Sequence, residues 1–164
     1  MTRTAARLPL LLLLASVALD AWGTNLLDAR RLMKAGRFDE AMQAFLPMAA
    51  AGNADAEELV GVMYAMGLGV ERDDERAFDW YLRASLKGHP GAQSGVGWYY
   101  ETGRGVAGVD LVRAYAWYVL SAIGGDPDAA VSQEEVVKKM TDDEIARAKR
   151  LVDDYRPLLY PYVD

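Results

Sequence analysis

Apolar residues recur at helical spacing in three stretches of this 164-residue chain. Within each stretch they fall at positions i, i+3, i+4, i+7 and i+8, the pattern of a helix with one buried side. Their members are Ala41, Ala44, Phe45, Met48 and Ala49; Ala77, Trp80, Tyr81, Ala84 and Ser85; and Ala114, Trp117, Tyr118, Ser121 and Ala122. The stripes lie 36 and 37 residues apart, which predicts stacked helical hairpins that cannot bury their apolar sides alone.

Glycine and polar residues mark the ends of the predicted helices. Gly-x-Gly-Val occurs at residues 67–70 and 103–106, where we expect a turn inside a hairpin. The linkers between hairpins open with a glycine at positions 52, 88 and 125. After these glycines, Asn53 and Asp126 are predicted helix N-caps, and Pro90 and Pro127 are predicted first helical residues.

The pattern therefore predicts an all-α chain with a single helical-repeat domain at residues 24–156. Its units are expected at about residues 25–52, 53–88 and 89–125, followed by a capping helix pair at 126–156. The last pair lacks the Gly-x-Gly-Val turn, and Thr141 with Glu144 forms a predicted capping box between its helices. Pro157 and Pro161 are expected to end the helix, leaving residues 157–164 as an extended tail.

The first 23 residues have the order of a secretory signal peptide. Two arginines precede an apolar run over residues 8–19, which is too short to span a bilayer, and small residues follow. Cleavage after Ala18 or after Gly23 fits the small-x-small rule equally well. We expect a periplasmic or secreted protein with no stable membrane insertion once the signal is removed.

The net charge indicates which partners suit this chain, and the cysteine content indicates how the chain is stabilised. The formal net charge is −6, and removal of Arg3, Arg7 and Asp20 with the signal would make it −7. An acidic surface repels phosphate backbones, so we expect no nucleic acid and favour a protein with a basic surface. The chain has no cysteine, so its stability has to come from its apolar core.

The residues and motifs that could indicate catalysis, metal binding or cofactor binding are each explained more simply by a structural role. The Gly-x-Gly-x-x-Gly at 103–108 follows a predicted helix, whereas a dinucleotide fingerprint follows a strand. His89 is the only histidine, and its position at a helix start favours a capping role over metal binding. The acidic clusters lie near helix starts, where negative charge is favourable. We therefore predict no catalytic residue, no metal and no cofactor.

The two copies of the repeat share a sequence pattern that is typical of a known family. The pattern A-x4-G-x2-Y-x2-G-x-G-V, then an aspartate, then A-x2-W-Y, resembles the SEL-one-like repeat, a relative of the tetratricopeptide repeat. The resemblance implies a short right-handed α-solenoid of antiparallel helix hairpins and a role as an adaptor for other proteins. For an exported member it implies either a scaffold for an envelope complex or an immunity protein that neutralises a toxin.

Two other functions remain as alternatives. Some cysteine-rich exported members of that family are linked to β-lactam hydrolysis, but the paired cysteines are absent here. A hydrolase acting on β-lactams or the cell wall, or a glycan-binding module, is therefore the alternative hypothesis.

The predicted contact residues lie in the first helices of the hairpins. They are Trp98, Tyr99, Glu101, Glu57 and Glu58. Trp98 replaces Val62 of the preceding copy at a position that the repeat leaves free, so we expect an exposed anchor there, next to Tyr99. The glutamates are expected to attract a basic partner.

Overall fold

The computed structural model describes residues 26–161, and this part of the chain forms eight helices without strands. The predicted signal peptide and the last residues of the predicted tail lie outside the described residues. The helices are α1 (26–34), α2 (Phe38–Ala50), α3 (Ala54–Met66), α4 (Asp74–Ser85), α5 (Pro90–Thr102), α6 (Leu111–Ile123), α7 (Ala129–Val137) and α8 (Asp142–Leu159). The pairs α1–α2, α3–α4 and α5–α6 form the three hairpins that the repeat period predicts.

Side chains cap most of these helices, as the sequence indicates. The Asn53 side chain accepts a hydrogen bond from the Ala56 amide at 2.9 Å, and Pro90 is the first residue of α5. Thr141 and Glu144 form the predicted capping box of α8. The prediction for Asp126 and Pro127 is wrong, because α7 begins later, at Ala129. Asp126 instead accepts a hydrogen bond from the Ser121 hydroxyl at 3.0 Å, which ties the linker to α6.

The Gly-x-Gly-Val turns pack against the preceding unit. A Cβ atom at Gly69 would lie 2.6 Å from the carbonyl carbon of Phe38, where α2 begins. A Cβ atom at Gly105 would lie 2.2 Å from the Asp74 carbonyl oxygen, where α4 begins. Both glycines also have left-handed φ angles, +67° and +61°. The second glycine of each turn is therefore required both by backbone conformation and by contact between neighbouring units.

Aromatic rings fill the space between the helices. Trp117 is buried, 4% exposed, as predicted, and Trp80 is half-buried against the core formed by α1, α2 and α3. The Tyr118 ring lies over Gly97, where an added Cβ would be 2.9 Å away. Tyr81 lies over Gly61 in the same way one unit earlier. Glycine in the first helix thus makes room for a tyrosine of the second helix.

The C-terminal helices differ from the predicted pair. Both α7 and α8 pack against α6 and share few contacts with each other, so they do not form another hairpin of the same kind. The prediction that Pro157 starts an extended tail is wrong, because α8 continues through it to Leu159. Proline removes only one backbone donor, and the helix end is held by Tyr160, whose hydroxyl donates to the buried Gln93 side chain at 2.5 Å. The folded chain therefore extends beyond the predicted boundary at residue 156.

Candidate protein-binding surface

The first helices of the three hairpins, α1, α3 and α5, and the helix that follows them, α7, each carry an exposed apolar residue. We call this surface the first-helix face, and its exposed apolar members are Leu27, Met66, Trp98 and Val131. In a stacked repeat the first helices lie side by side, and equivalent positions line up across the units. The position in α3 equivalent to Trp98 is the half-buried Val62, and the exposed Met66 lies about one helical turn further along α3. This face is consequently able to contact a partner that crosses several helices.

Trp98 is the largest of these residues and is held in place from two sides. Its side chain is 39% exposed. The Tyr99 ring packs edge-on against it at 5.0 Å, and the Arg104 guanidinium lies 5.4 Å from its ring centre. Arg104 is itself fixed by a 3.0 Å ion pair with Asp74. An exposed aromatic ring that is already oriented loses little entropy on binding. The predicted exposure of Trp98 is confirmed, and its role as an anchor stays a prediction.

Tyr99 does not belong to this surface, and that part of the prediction is wrong. It is 1% exposed and packs against Phe78 and Tyr81. A helix turns about 100° per residue, so the neighbour of an exposed residue can face the core. The Tyr99 hydroxyl is buried without a hydrogen bond, and burial raises its pKa to about 12.

Glu57 is also buried and cannot contact a partner in this structure, so its prediction is corrected too. Its carboxylate accepts from Arg83 at 3.0 Å and from Lys87 at 2.5 Å. The same two cations donate to the carbonyl oxygens of Ala49 and Gly52. Glu57 is therefore a structural residue that joins α3 to α4 and to the end of α2.

Glu58 lies half-buried on the first-helix face. Its carboxylate faces α5, since a Cβ atom at Gly91 would lie 3.9 Å from Oε1. Burial raises the pKa of this carboxyl, His89 and Arg30 lower it in part, and Asp55 raises it further. Folding thus removes water from the Glu58 carboxylate, and residues 26–161 provide no hydrogen bond or ion pair that compensates for it.

Glu101 is half-buried and already neutralised. One carboxylate oxygen accepts from the Tyr118 hydroxyl at 2.9 Å, and the other accepts from Lys139 at 2.7 Å. Burial and the bond to Glu101 both raise the pKa of the Tyr118 hydroxyl. This network joins α5 to α6 and to the α7–α8 loop, so Glu101 contributes more to rigidity than to free negative charge.

Sequence reasoning missed a groove on the other side of the repeat. The groove has a volume of about 530 Å³ and is lined mainly by apolar side chains from α4, α6 and α8. Its lining residues include Leu82, Leu86, Trp117, Tyr155 and Leu158. Because these residues are up to 76 positions apart in the chain, no local pattern brings them together.

Contacts in the structure also account for the residues considered for chemistry. The His89 ring caps α5 by accepting from the Ala92 amide at 3.2 Å. Asp73 and Asp110 accept from backbone amides at the starts of α4 and α6. Within residues 26–161 no group of three histidine or carboxylate side chains is placed to hold a metal ion. None of the helices in that range is long and apolar enough to cross a membrane.

Comparison with known proteins now identifies the repeat. The Sel1 repeat family profile matches residues 54–89 and 90–126. A solved Sel1 repeat protein from Oxalobacter formigenes is 34% identical, with a TM-score of 0.62, and the match covers 70% of this chain and 88% of that one. The chain belongs to the Sel1 repeat family. Sel1 repeats mediate protein–protein interactions, and their proteins are generally non-catalytic adaptors.

Other Sel1 relatives support the fold. The structure of c5321, a protective antigen of uropathogenic Escherichia coli strains with an SLR fold, superposes with a TM-score of 0.82 at 23% identity. That match covers 87% of this Sel1 protein and 31% of the antigen. The predicted solenoid of helix hairpins is therefore confirmed.

Two curated eukaryotic proteins share shorter regions. The ERAD-associated E3 ubiquitin-protein ligase component HRD3A of Arabidopsis thaliana is 38% identical over 71 residues, which cover 43% of this chain and 10% of that protein. The chitin synthase regulator SKT5 of Saccharomyces cerevisiae is 40% identical over 58 residues, or 35% and 8% of the two chains. The Sel1 protein thus spans about a tenth of the length of these relatives.

Proposed function

We propose that this Sel1 repeat protein is a non-enzymatic adaptor that holds another protein on its first-helix face, with Trp98 as the main anchor. The observation that carries the proposal is an exposed tryptophan oriented by Tyr99 and Arg104. Binding energy in protein interfaces concentrates on such residues. On the α3 side, the half-buried Val62 at the equivalent position and the exposed Met66 one turn further along would extend the contact.

The proposed partner has a basic contact surface. The chain has a net charge of −6, and Glu58 adds a half-buried negative charge to the first-helix face. Complementary charge accelerates association and selects among partners more than it adds affinity. Association should therefore slow as salt concentration rises.

We place this function outside the cytoplasm, on the basis of the signal-like residues 1–23. Two settings fit an exported adaptor, namely a scaffold in an envelope complex and an immunity protein that neutralises a toxin. A scaffold would copurify with components of a multiprotein assembly, whereas an immunity protein would form a stoichiometric complex with one toxin and abolish its activity. Fractionation of cells expressing the full chain, with the mass of the exported form, tests the location and the cleavage position.

The binding proposal can be tested by comparative capture from envelope extracts. The purified protein and its Trp98→Ala variant are used as baits, with Leu158→Ala as the matched control. Leu158 is 77% exposed and lines the groove that α8 forms with α4 and α6, rather than the first-helix face. We expect one set of proteins to be lost with Trp98→Ala and retained with Leu158→Ala. Equal recovery with all three baits would contradict the proposed surface.

A further inference from the structure

Glu58 differs from the other carboxylates that are buried or half-buried. Within residues 26–161 each of those others has a hydrogen bond or an ion pair. Glu58 has neither in that part of the chain. Unpaired carboxylates elsewhere in the range are exposed to solvent, where water satisfies them. Glu58 is therefore the half-buried carboxylate whose loss of solvation is least compensated, and a nearby cation would stabilise it.

The basic side chains near Glu58 lie beside another carboxylate, that of Asp55. Arg30, on α1, forms a 2.7 Å ion pair with Asp55, and His89 lies 3.8 Å from the same carboxylate. Tyr81, packed between α3 and α5, has its pKa raised by burial and also by the charge of Glu58. The groups that face Glu58 are thus a histidine and an arginine held by Asp55, a second carboxylate and a neutral phenol.

The surface over Glu58 is open on the α5 side. Gly91 and Ser94 carry little or no side chain, and Gly91 is exposed, whereas Gly95 faces inward onto the Tyr81 ring. Trp98 follows Gly91 by seven residues, which is close to two helical turns, so both lie on the same side of α5 at a separation of about 10 Å along its axis. A shallow path of small residues therefore connects the carboxylate to the tryptophan.

We propose that Glu58 receives a lysine or arginine side chain of the protein partner, while Trp98 packs against an apolar side chain of the same segment. This inference rests on the proposed function and specifies the partner chemistry. Side chains on one face of an extended segment recur every two residues, about 6.6 Å apart, so a basic and an apolar residue two or four positions apart would face Glu58 and Trp98 together. A cation placed at Glu58 would offset the loss of water by this carboxylate.

The raised pKa of Glu58 is consistent with this proposal and predicts that binding depends on pH. A cation bound beside the carboxyl would lower its pKa, so complex formation would release protons near that pKa. The affinity for a basic segment should fall as the pH is lowered through the pKa of the free protein. The Glu58→Gln variant lacks this carboxyl and is therefore the control for the pH dependence.

The test is a selection of short random displayed peptides on the purified protein, expressed from its full chain. Enriched peptides are expected to carry Lys or Arg two or four positions from a large apolar residue. Their affinity should fall at least about tenfold with Glu58→Gln. The matched control is Glu71→Gln, which removes the same charge from an exposed loop position and should leave the affinity unchanged. Thermal unfolding confirms that each variant is folded.

The possible failures are distinguishable. Peptides that lose affinity with Trp98→Ala but bind Glu58→Gln as well as the original protein would overturn the cation site and leave the proposed function intact. Peptides that bind both variants unchanged would overturn the cation site and also the choice of the first-helix face. A selection that enriches no peptide, or only peptides without basic residues, would overturn the inference as well.

Discussion

Glu57 and Glu58 are adjacent in sequence, yet the structure predicts opposite effects when each is replaced by glutamine. Glu57 is fully buried and bonds to two cations, Arg83 and Lys87, whose side chains are 47% and 40% exposed. A hydrogen bond to a charged group contributes about 1.5–3 kcal/mol. Because the half-exposed cations can regain water, we count about one such bond, or about 2 kcal/mol. For a domain of this size, the midpoint of thermal unfolding should fall by roughly 4–8 °C.

Glu58→Gln should instead raise the midpoint at neutral pH. The folded-state pKa of Glu58 is raised by burial, so the folded state binds this proton more tightly than the unfolded state does. Stability therefore falls as the pH rises from the unfolded value, about 4.3, through the folded value. Glutamine removes that fall, so the variant's advantage should grow over this interval and vanish below it.

The assay is thermal unfolding followed by circular dichroism at several pH values, with Glu71→Gln as the control. Substitution of an exposed residue should change the unfolding free energy by less than about 0.5 kcal/mol. The reasoning is refuted if Glu57→Gln and Glu58→Gln shift the midpoint in the same direction at neutral pH. It is also refuted if the effect of Glu58→Gln is independent of pH.

Three further changes test the packing. Trp117→Ala should reduce the unfolding free energy by about 3–5 kcal/mol in denaturant titration, because the ring is buried; an unchanged midpoint would contradict its core position. Gly105→Ala should cost more than about 2 kcal/mol, since it combines a left-handed φ with a backbone clash. Gly36→Ala, at a left-handed position in open space, should reduce the unfolding free energy by only about 1 kcal/mol. Equal losses of stability in Gly105→Ala and Gly36→Ala would refute the packing of the turn at Gly105. Tyr160→Phe should cost about 1–3 kcal/mol, because Gln93 would lose its donor; hydrogen exchange at the end of α8 measures that loosening.

Local patterns predicted the elements of this fold well. The helix starts at Asn53 and Pro90 and the capping box at Thr141 depend on interactions within a few residues, so the sequence indicates them directly. The period of 36 and 37 residues predicted the stacking, because it places a stripe of the same kind in each unit. Trp117 follows from that stripe and is buried.

The errors arose where distant parts of the chain decide the outcome. Glu57 is predicted to contact a basic partner, but Arg83 of α4 and Lys87 just after that helix allow it to be buried. Pro157 was expected to end the last helix, yet contact between Tyr160 and Gln93, 67 residues earlier, holds the helix end in place. Tyr99 shows a third cause of error. It follows the exposed Trp98 in sequence, but a helix turns about 100° per residue, so the Tyr99 side chain faces the core.

Site-specific photo-crosslinking in cells that express the full chain tests the central claim most directly. A photoreactive amino acid is placed at position 98 in one variant and at position 158 in another, and the adducts are identified by mass. The account predicts that position 98 captures one protein repeatedly and that position 158 does not capture it. Capture of the same protein from position 158 alone would contradict binding on the first-helix face.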